Sequence, residues 1–451
     1  VSESDFLGME HEPFSLVAVT IQSVADNCRS EAMNVCAGQS ELVGSSRVRH
    51  KKNSRRVSHG AVWCMVSLNA ENLPFSDRAL SIFGIPNLVG AVFDIKAEEQ
   101  LHFAVRCDSF FGKHAVKDEH LAGGQHVGIY DAPFAYWGKD LDAQIPYLDE
   151  PHAFREILVK DDRGEPLALD TAYAFDVTHP VWQEWTRRKA QFYFDWGFDF
   201  AKFDFMSHAG LEGHHHAPAV RTGRQALKIG YDFLAEVYDE QRIGRPFYIS
   251  ISISPMLPVG PFNTRRISCD SFGLPEDIEY VLNAQTYGWW TCGRLYQHND
   301  ADHVVLWQSF DMTRPSTESE ARARYTTAAI AGSTLLLSDD FGLEEARERA
   351  IAVVTNERVN HVARSGVAFR PADSAGVSAC HAFTGLVDGV PHVALFSWAD
   401  DPERVACGLG RLDVPDGRYE DLWTGACVET TDGALAWDFD GCGAALLRYV
   451  G

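Results

Sequence analysis

Between about residues 61 and 355, short apolar runs alternate with longer stretches of helical period. The runs at 126–130, 198–205, 246–252, 304–307 and 334–337 read as strands. Each is a short apolar or alternating segment that stops at acidic or turn-forming residues. The first two strands of this region have three candidate positions, at 61–68, 89–95 and 101–107. A helix is expected ahead of the run at 198–205. Thr178 offers a cap, Pro180 suits a first helical turn, and Trp182, Trp185, Phe192 and Trp196 recur near one face before Gly197. Strand, helix, strand in succession marks a parallel sheet, so an α/β fold of the β/α-barrel kind is expected.

The pattern changes at about residue 356. Short alternating runs such as 392–398, separated by Asp-Gly and Gly-Arg turns, predict an antiparallel β-sandwich over 356–451. Residues 1–60 show no clear period and contain a basic run at 47–56. They are expected to be a solvated tail or the remnant of a preceding domain. Three regions follow: 1–60, a barrel over 61–355, and a sandwich over 356–451. A length of 451 residues and 45% hydrophobic content suit that division.

Charge and cysteine content remove several partners. A formal net charge of −23 argues against nucleic acid, which needs a basic surface. No run approaches the roughly 18 apolar residues of a membrane span, so no membrane partner is expected. No secretory signal is visible, but the chain opens on Val1, so a processed form is compatible and the compartment stays open. Oligomeric state is open too. The 10 Cys form no CxxC pair, and free thiols are expected.

Two segments carry the candidate chemistry, Lys202-Phe203-Asp204 and Arg266-Ile267-Ser268-Cys269-Asp270. Each sets a carboxylate beside a cation where a strand stops. In a β/α barrel the reacting groups stand at such carboxyl-terminal strand ends. Period two puts Lys202 on the same face as Asp204, where an ammonium favours the ionised carboxylate. Two carboxylates, one ionised and one protonated, are what hydrolysis of a sugar acetal requires. The plainer alternatives are a salt bridge closing the barrel mouth for Lys202 and Asp204, and an ion pair or helix cap for Asp270.

The chain resembles the α-galactosidase, or melibiase-type, clan of retaining α-glycosidases, related to glycoside hydrolase families 27 and 36. Lys202-Phe203-Asp204 matches its Lys-aromatic-Asp motif and Arg266 to Asp270 its Arg-x-x-x-Asp motif. Gly128-Ile129-Tyr130 matches its Gly-Ile-Tyr strand. Asn299-Asp300-Ala301-Asp302 is similar to its Asn-Asp-Pro-Asp, with Ala in place of Pro. Asp176-Val177-Thr178-His179-Pro180 and the segment 331–337 also resemble family segments, in the family order, across about residues 100 to 342.

The resemblance implies a (β/α)8 TIM barrel followed by a β-sandwich, and hydrolysis of terminal α-galactosides in an oligosaccharide or glycoconjugate. Asp204 would be the nucleophile and Asp270 the general acid/base. Lys202, Arg266, Tyr130 and Asp302 would hold sugar hydroxyls. Asp108 would stand for one of the acidic residues that grip O4 and O6; the family often has an adjacent acidic pair there, and this chain has one Asp. No metal or organic cofactor is implied. Small residues at 250–255, where galactose enzymes carry a larger polar group, leave room for a 2-acetamido substituent and raise α-N-acetylgalactosaminidase as an alternative. Trp290, in Tyr287-Gly288-Trp289-Trp290, is expected at the sixth strand as a face on which a sugar stacks. His214-His215-His216 invites a metal-dependent hydrolase, and a catalytically silent carbohydrate-binding protein is the remaining alternative.

Overall fold

The computed structural model describes residues 128–309, 312–339, 343–373 and 379–451, with two isolated strands at Met65–Ser67 (β1) and Ser81–Phe83 (β2). The further strands of their sheet are Gly128–Asp131 (β3), Phe200–Phe203 (β4), Tyr248–Ile251 (β5), Thr264–Arg266 (β6) and His298–Asp300 (β7). They form one sheet in the order β7-β6-β5-β4-β3-β1-β2, parallel throughout except for β2. Neighbours in sequence are neighbours in space from β3 to β7, the winding of a singly wound β/α sheet. His303–Val304 (β8) and Leu336–Leu337 (β9) pair separately in parallel, and a parallel bridge between Asn299 and Ser333 ties them to the edge at β7. Among the described residues the hydrogen-bonded sheet does not close into a ring. Residues 1–60 and the strand candidates at 89–95 and 101–107 lie outside the described residues, whereas β1 falls within 61–68.

Helices Pro180–Asp195 (α1), Gly223–Val237 (α2), Pro275–Gly288 (α3), Glu318–Ile330 (α4) and Glu344–Val354 (α5) cover the sheet. Helix α1 forms where expected, but its N-cap is His179, whose ring accepts the Val181 N–H, rather than Thr178. Thr178 instead donates its hydroxyl and N–H to Asp176. Gly197 follows the helix at φ 84°, a left-handed conformation that glycine adopts without a Cβ clash. Strand β3 is fixed to α1 by Lys189, whose ammonium lies 2.7 Å from the buried Asp131 carboxylate. Gly128 admits the Phe200 ring of the next strand: a Cβ there would lie 2.6 Å from the ring. Strands β3 to β5 are buried on both faces, and their Ile129, Ala201, Phe203, Ile249 and Ile251 share one core with the aromatic rings of Trp182, Trp185, Tyr193 and Phe198.

Two expectations shift. Residues 289–291, placed at the sixth strand by their aromatic run, form a single 3₁₀ turn at the end of α3. The run 304–307 is strand only at its start. Leu306, Trp307 and Gln308 instead donate their N–H groups to the buried Asp339 carboxylate. Burial pushes the Asp339 pKa up to about 6, against the lowering effect of those three bonds.

Helical structure continues past residue 356 as Glu357–Arg364 (α6). Beyond it come Arg370–Pro371 (β10), Ala382–Val387 (β11), Val390–Ser397 (β12), Glu403–Gly408 (β13), Arg418–Asp421 (β14), Cys427–Glu429 (β15), Ala434–Phe439 (β16) and Gly443–Tyr449 (β17). They make two antiparallel sheets, ordered β10-β11-β12-β17-β14-β15 and β13-β16. Val393, Leu395 and Leu447 of the first meet Val405, Leu435 and Phe439 of the second in one core. A second core joins this module to α3 and α4, and the Trp423 indole donates to Thr326 on α4. Among the described residues no helix is long and apolar enough to cross a membrane, and six cysteines are unpaired.

Candidate active site

The strand register assembles the site. Tyr130 lies beside Lys202, Lys202 beside Ser250, Ser250 beside Thr264, and Arg266 beside Asp300. Side chains alternate along a strand, so Asp204, Ser252 and Asp302 continue the same face two residues further on. The ladder carries on past the strands proper: Asp204 N–H donates to the Asp131 carbonyl, and Ser252 N–H to that of Phe203. The carboxyl-terminal end of a mostly apolar sheet therefore carries buried polar groups from five strands.

Asp204 is held by three donors. Tyr130 Oη donates to Oδ2 at 2.8 Å, and Ser252 Oγ and the Phe205 N–H donate to Oδ1 at 2.6 and 2.8 Å. Phe205 makes its bond from a left-handed backbone, φ 54°, which a bulky residue rarely adopts and which is often found at functional sites. Burial, and then the negative charge of Asp204, raise the Tyr130 pKa and keep the phenol protonated as a donor. Lys202 differs from expectation. It shares a face with Asp204, but its ammonium donates to Asp302 at 3.0 Å and lies 3.6 Å from Asp300. Burial favours loss of its proton, yet Asp300 and Asp302 outweigh that and raise its pKa.

Asp302 is the hub of the opposite side. It is fully buried, accepts from Lys202 and the Ser271 N–H, and lies 3.5 Å from Arg266 Nη1 and 3.4 Å from the His303 ring. Burial alone would raise its pKa, but His303 where acid charges it, and Lys202 and Arg266 throughout, hold it well below the carboxylate range. Burial pushes His303 down to about 3, so the ring is neutral at pH 7. Arg266 also reaches Asp270, Nη1 to Oδ1 2.5 Å. Asp270 sits at the rim, its side chain 37% exposed. Its pKa is raised: desolvation is the largest cause, the charges of Asp302 and Asp204 add to it, and Arg266 opposes it. Asp204 and Asp270 thus act on one another electrostatically although 66 positions (270 − 204) separate them in the chain.

No protein-family model matches the chain, and no curated protein matches it in sequence. Solved structures do match in shape. A glycoside hydrolase family 27 β-L-arabinopyranosidase from Geobacillus stearothermophilus, in complex with arabinose, superposes with a TM-score of 0.57 at 20% identity, covering 73% of this chain and 76% of that one. α-Galactosidase I from Mortierella vinacea gives 0.50 at 15% identity, over 73% and 78%. A proposed α-N-acetylgalactosaminidase from Bacillus halodurans gives 0.52 at 14% identity, over 85% and 87%.

This chain has the fold of those enzymes. The solved structures belong to the clan that the sequence motifs resemble. Within this fold, Tyr130, Lys202, Asp204, Arg266, Asp270 and Asp302 come together at one end of the sheet. Asp108 lies outside the described residues. Trp290 does not join the group. It follows α3, which starts beyond the carboxyl end of β6 and returns to where β7 begins, so it stands at the opposite end of the sheet. There its indole donates to the Tyr287 carbonyl.

The three consecutive histidines diverge. His214 pairs with Asp162, His215 lies 3.4 Å from Asp176, and His216 packs on the His179 ring. Among the described residues no three His, Cys, Asp or Glu side chains converge as a metal site.

Ser252, Asp300 and His303 were missed as site residues. Strand alternation carried the signal for two of them: Ser252 is two residues beyond Ser250, and Asp300 two before Asp302. Asp300 accepts from Ser250 Oγ and from the Asp302 N–H, which fixes the left-handed turn at Asp302. Ala301, where the clan's motif has Pro, donates its N–H to Ser333 Oγ, a bond proline cannot make.

Proposed function

We propose that the chain is a retaining exo-α-glycosidase acting on terminal α-galactosides, built as a (β/α)8 barrel over 61–355 with a C-terminal β-sandwich. One observation carries the reading. The cluster holds one carboxylate fixed by three hydrogen-bond donors, Asp204, and another whose proton affinity is raised, Asp270. Unlike environments for two nearby carboxyl groups assign nucleophile and acid.

In the first step an Asp204 oxygen bonds to the anomeric carbon as the bond to the leaving oxygen breaks, and Asp270 gives its proton to that oxygen. In the second step Asp270 takes a proton from water, the water oxygen bonds to the anomeric carbon, and the Asp204 ester breaks. Tyr130 and Ser252 orient the attacking carboxylate. Lys202, Arg266 and Asp302 hold hydroxyls of the bound sugar, and Asp108 grips O4 and O6. The two carboxyl groups supply both the nucleophile and the proton, so the scheme needs no cofactor.

The alternative glycone is N-acetylgalactosamine. Ser252 touches the carboxylate itself, and Ser250 and Ser254 are its neighbours along the same segment, so the wall beside the nucleophile is built from small residues. A panel of nitrophenyl α-glycosides separates the readings: release from the α-galactoside is expected to exceed release from the 2-acetamido analogue. Sugar binding without cleavage of any member would overturn the enzyme reading in favour of a silent lectin.

The pH profile provides another test. Asp270 must be protonated to act, so kcat/KM should fall as pH rises through its elevated pKa. Asp270→Asn is expected to lose that alkaline limb and about 10²- to 10⁴-fold in rate on substrates with poor leaving groups. An unchanged alkaline limb would move the acid role to another residue.

A further inference from the structure

We propose that Tyr280 forms the leaving-group subsite, an aromatic platform beside Asp270 on which the aglycone sugar or aryl ring stacks. The inference rests on the glycosidase reading above and adds to it the side from which the leaving group is held.

The two sides of Asp270 differ. Its Oδ1 faces inward to Arg266, and behind Arg266 lie the buried Asp302 and Lys202. That buried side is where the hydroxyls of the cleaved sugar are bound. The acid must reach the glycosidic oxygen within hydrogen-bond distance, about 2.6–3.2 Å. Atoms beyond that oxygen therefore pass over whatever flanks Asp270 toward solvent. The flanking residue is Cys269, which is exposed, and Tyr280 Oη donates to its sulfur at 3.3 Å.

Tyr280 is on the sixth position of α3 (Pro275–Gly288), near the helix start, which follows the carboxyl end of β6. It therefore stands at the same end of the sheet as the site. Its neighbours Ile278, Val281 and Leu282 turn into the core, while Tyr280 remains 48% exposed. The bond to Cys269 limits the ring's motion at its hydroxyl end and leaves the residue half-exposed. A sugar ring presents an apolar C–H face to such a platform. A restrained, half-exposed aromatic ring loses little conformational freedom when it is covered.

The experiment compares two substrates of the same glycone, taken as whichever sugar the nitrophenyl panel selects. One is the glycosyl fluoride, whose leaving group has no ring to stack. The other is the 1,6-linked disaccharide with glucose. In Tyr280→Ala, the ratio of kcat/KM for the disaccharide to that for the fluoride is expected to fall about tenfold, mainly through KM. Tyr280→Phe, which keeps the ring and loses only the hydroxyl, should stay within about twofold of wild type in that ratio. A ratio unchanged in Tyr280→Ala, or an equal fall on both substrates, overturns the subsite and leaves the glycosidase reading standing. Wild-type protein inert toward both substrates would instead remove the glycosidase reading, and the subsite with it.

Discussion

Asp204→Ala is expected to reduce turnover by on the order of 10⁴- to 10⁶-fold on every α-glycoside that the wild type cleaves. The size follows from the role: without the carboxylate no glycosyl-enzyme forms, and the three donors around it are left with no acceptor. Tyr130, Ser252 and the Phe205 N–H all direct protons at the vacated space. An external nucleophile such as azide should therefore be drawn into it and restore part of the rate, yielding a glycosyl azide of inverted configuration. Mass spectrometry after treatment with a 2-deoxy-2-fluoro glycosyl fluoride supplies the check on the wild type. The label should sit on the peptide containing Asp204. A label elsewhere, or a variant retaining a tenth of wild-type activity, would reassign the nucleophile.

Asp302→Asn should cost about 3–5 kcal/mol of stability, because it leaves buried charge without its partner. Lys202 and Arg266 are both buried, and both have Asp302 Oδ1 within 3.5 Å. An amide of the same shape keeps the Ser271 bond but supplies no negative charge, so Lys202 should lose its proton more readily. The pH dependence has a definite sign. The Asp302 pKa is depressed in the folded protein. Its stabilising effect is thus complete above the unfolded value of about 3.9 and disappears as pH falls below it. Denaturant titration of both proteins at pH 7 and at pH 3 should show the gap between them narrowing in acid. Equal midpoints at pH 7 would show that the ion cluster contributes nothing net.

Much of the site was legible because period two and motif order both act locally. Tyr130, Lys202, Asp204, Arg266 and Asp302 each stand on a strand face or one step beyond it, where alternation alone decides their direction. What alternation does not tell is which partner each side chain finds. Lys202 was expected to serve its near neighbour Asp204, but the strand that brings Asp302 lies 100 residues along the chain and reaches the ammonium first. Ser252 was read only as a small residue, since its hydroxyl becomes a donor once β5 and β4 are paired. The aromatic run ending in Trp290 resembled a strand because it is locally apolar, while the helical period begun at Pro275 continues through Gly288. The apolar run 304–307 misled for a different reason. A buried loop becomes tolerable when a distant carboxylate, Asp339, satisfies its N–H groups, and no local pattern records that.

The ion cluster at the strand ends also has a sum. Four carboxyl groups, Asp204, Asp270, Asp300 and Asp302, meet two cations, Lys202 and Arg266, while the adjoining imidazole is neutral and the buried Arg324 behind it is offset by Asp277. Even with Asp270 protonated, the formal total is one unit negative. A pyranose breaking its acetal passes through an oxocarbenium ion, positive at the ring oxygen and anomeric carbon. The enclosure is therefore biased toward a cation before any sugar arrives, and protonated iminosugars should occupy it more tightly than neutral sugars of the same shape.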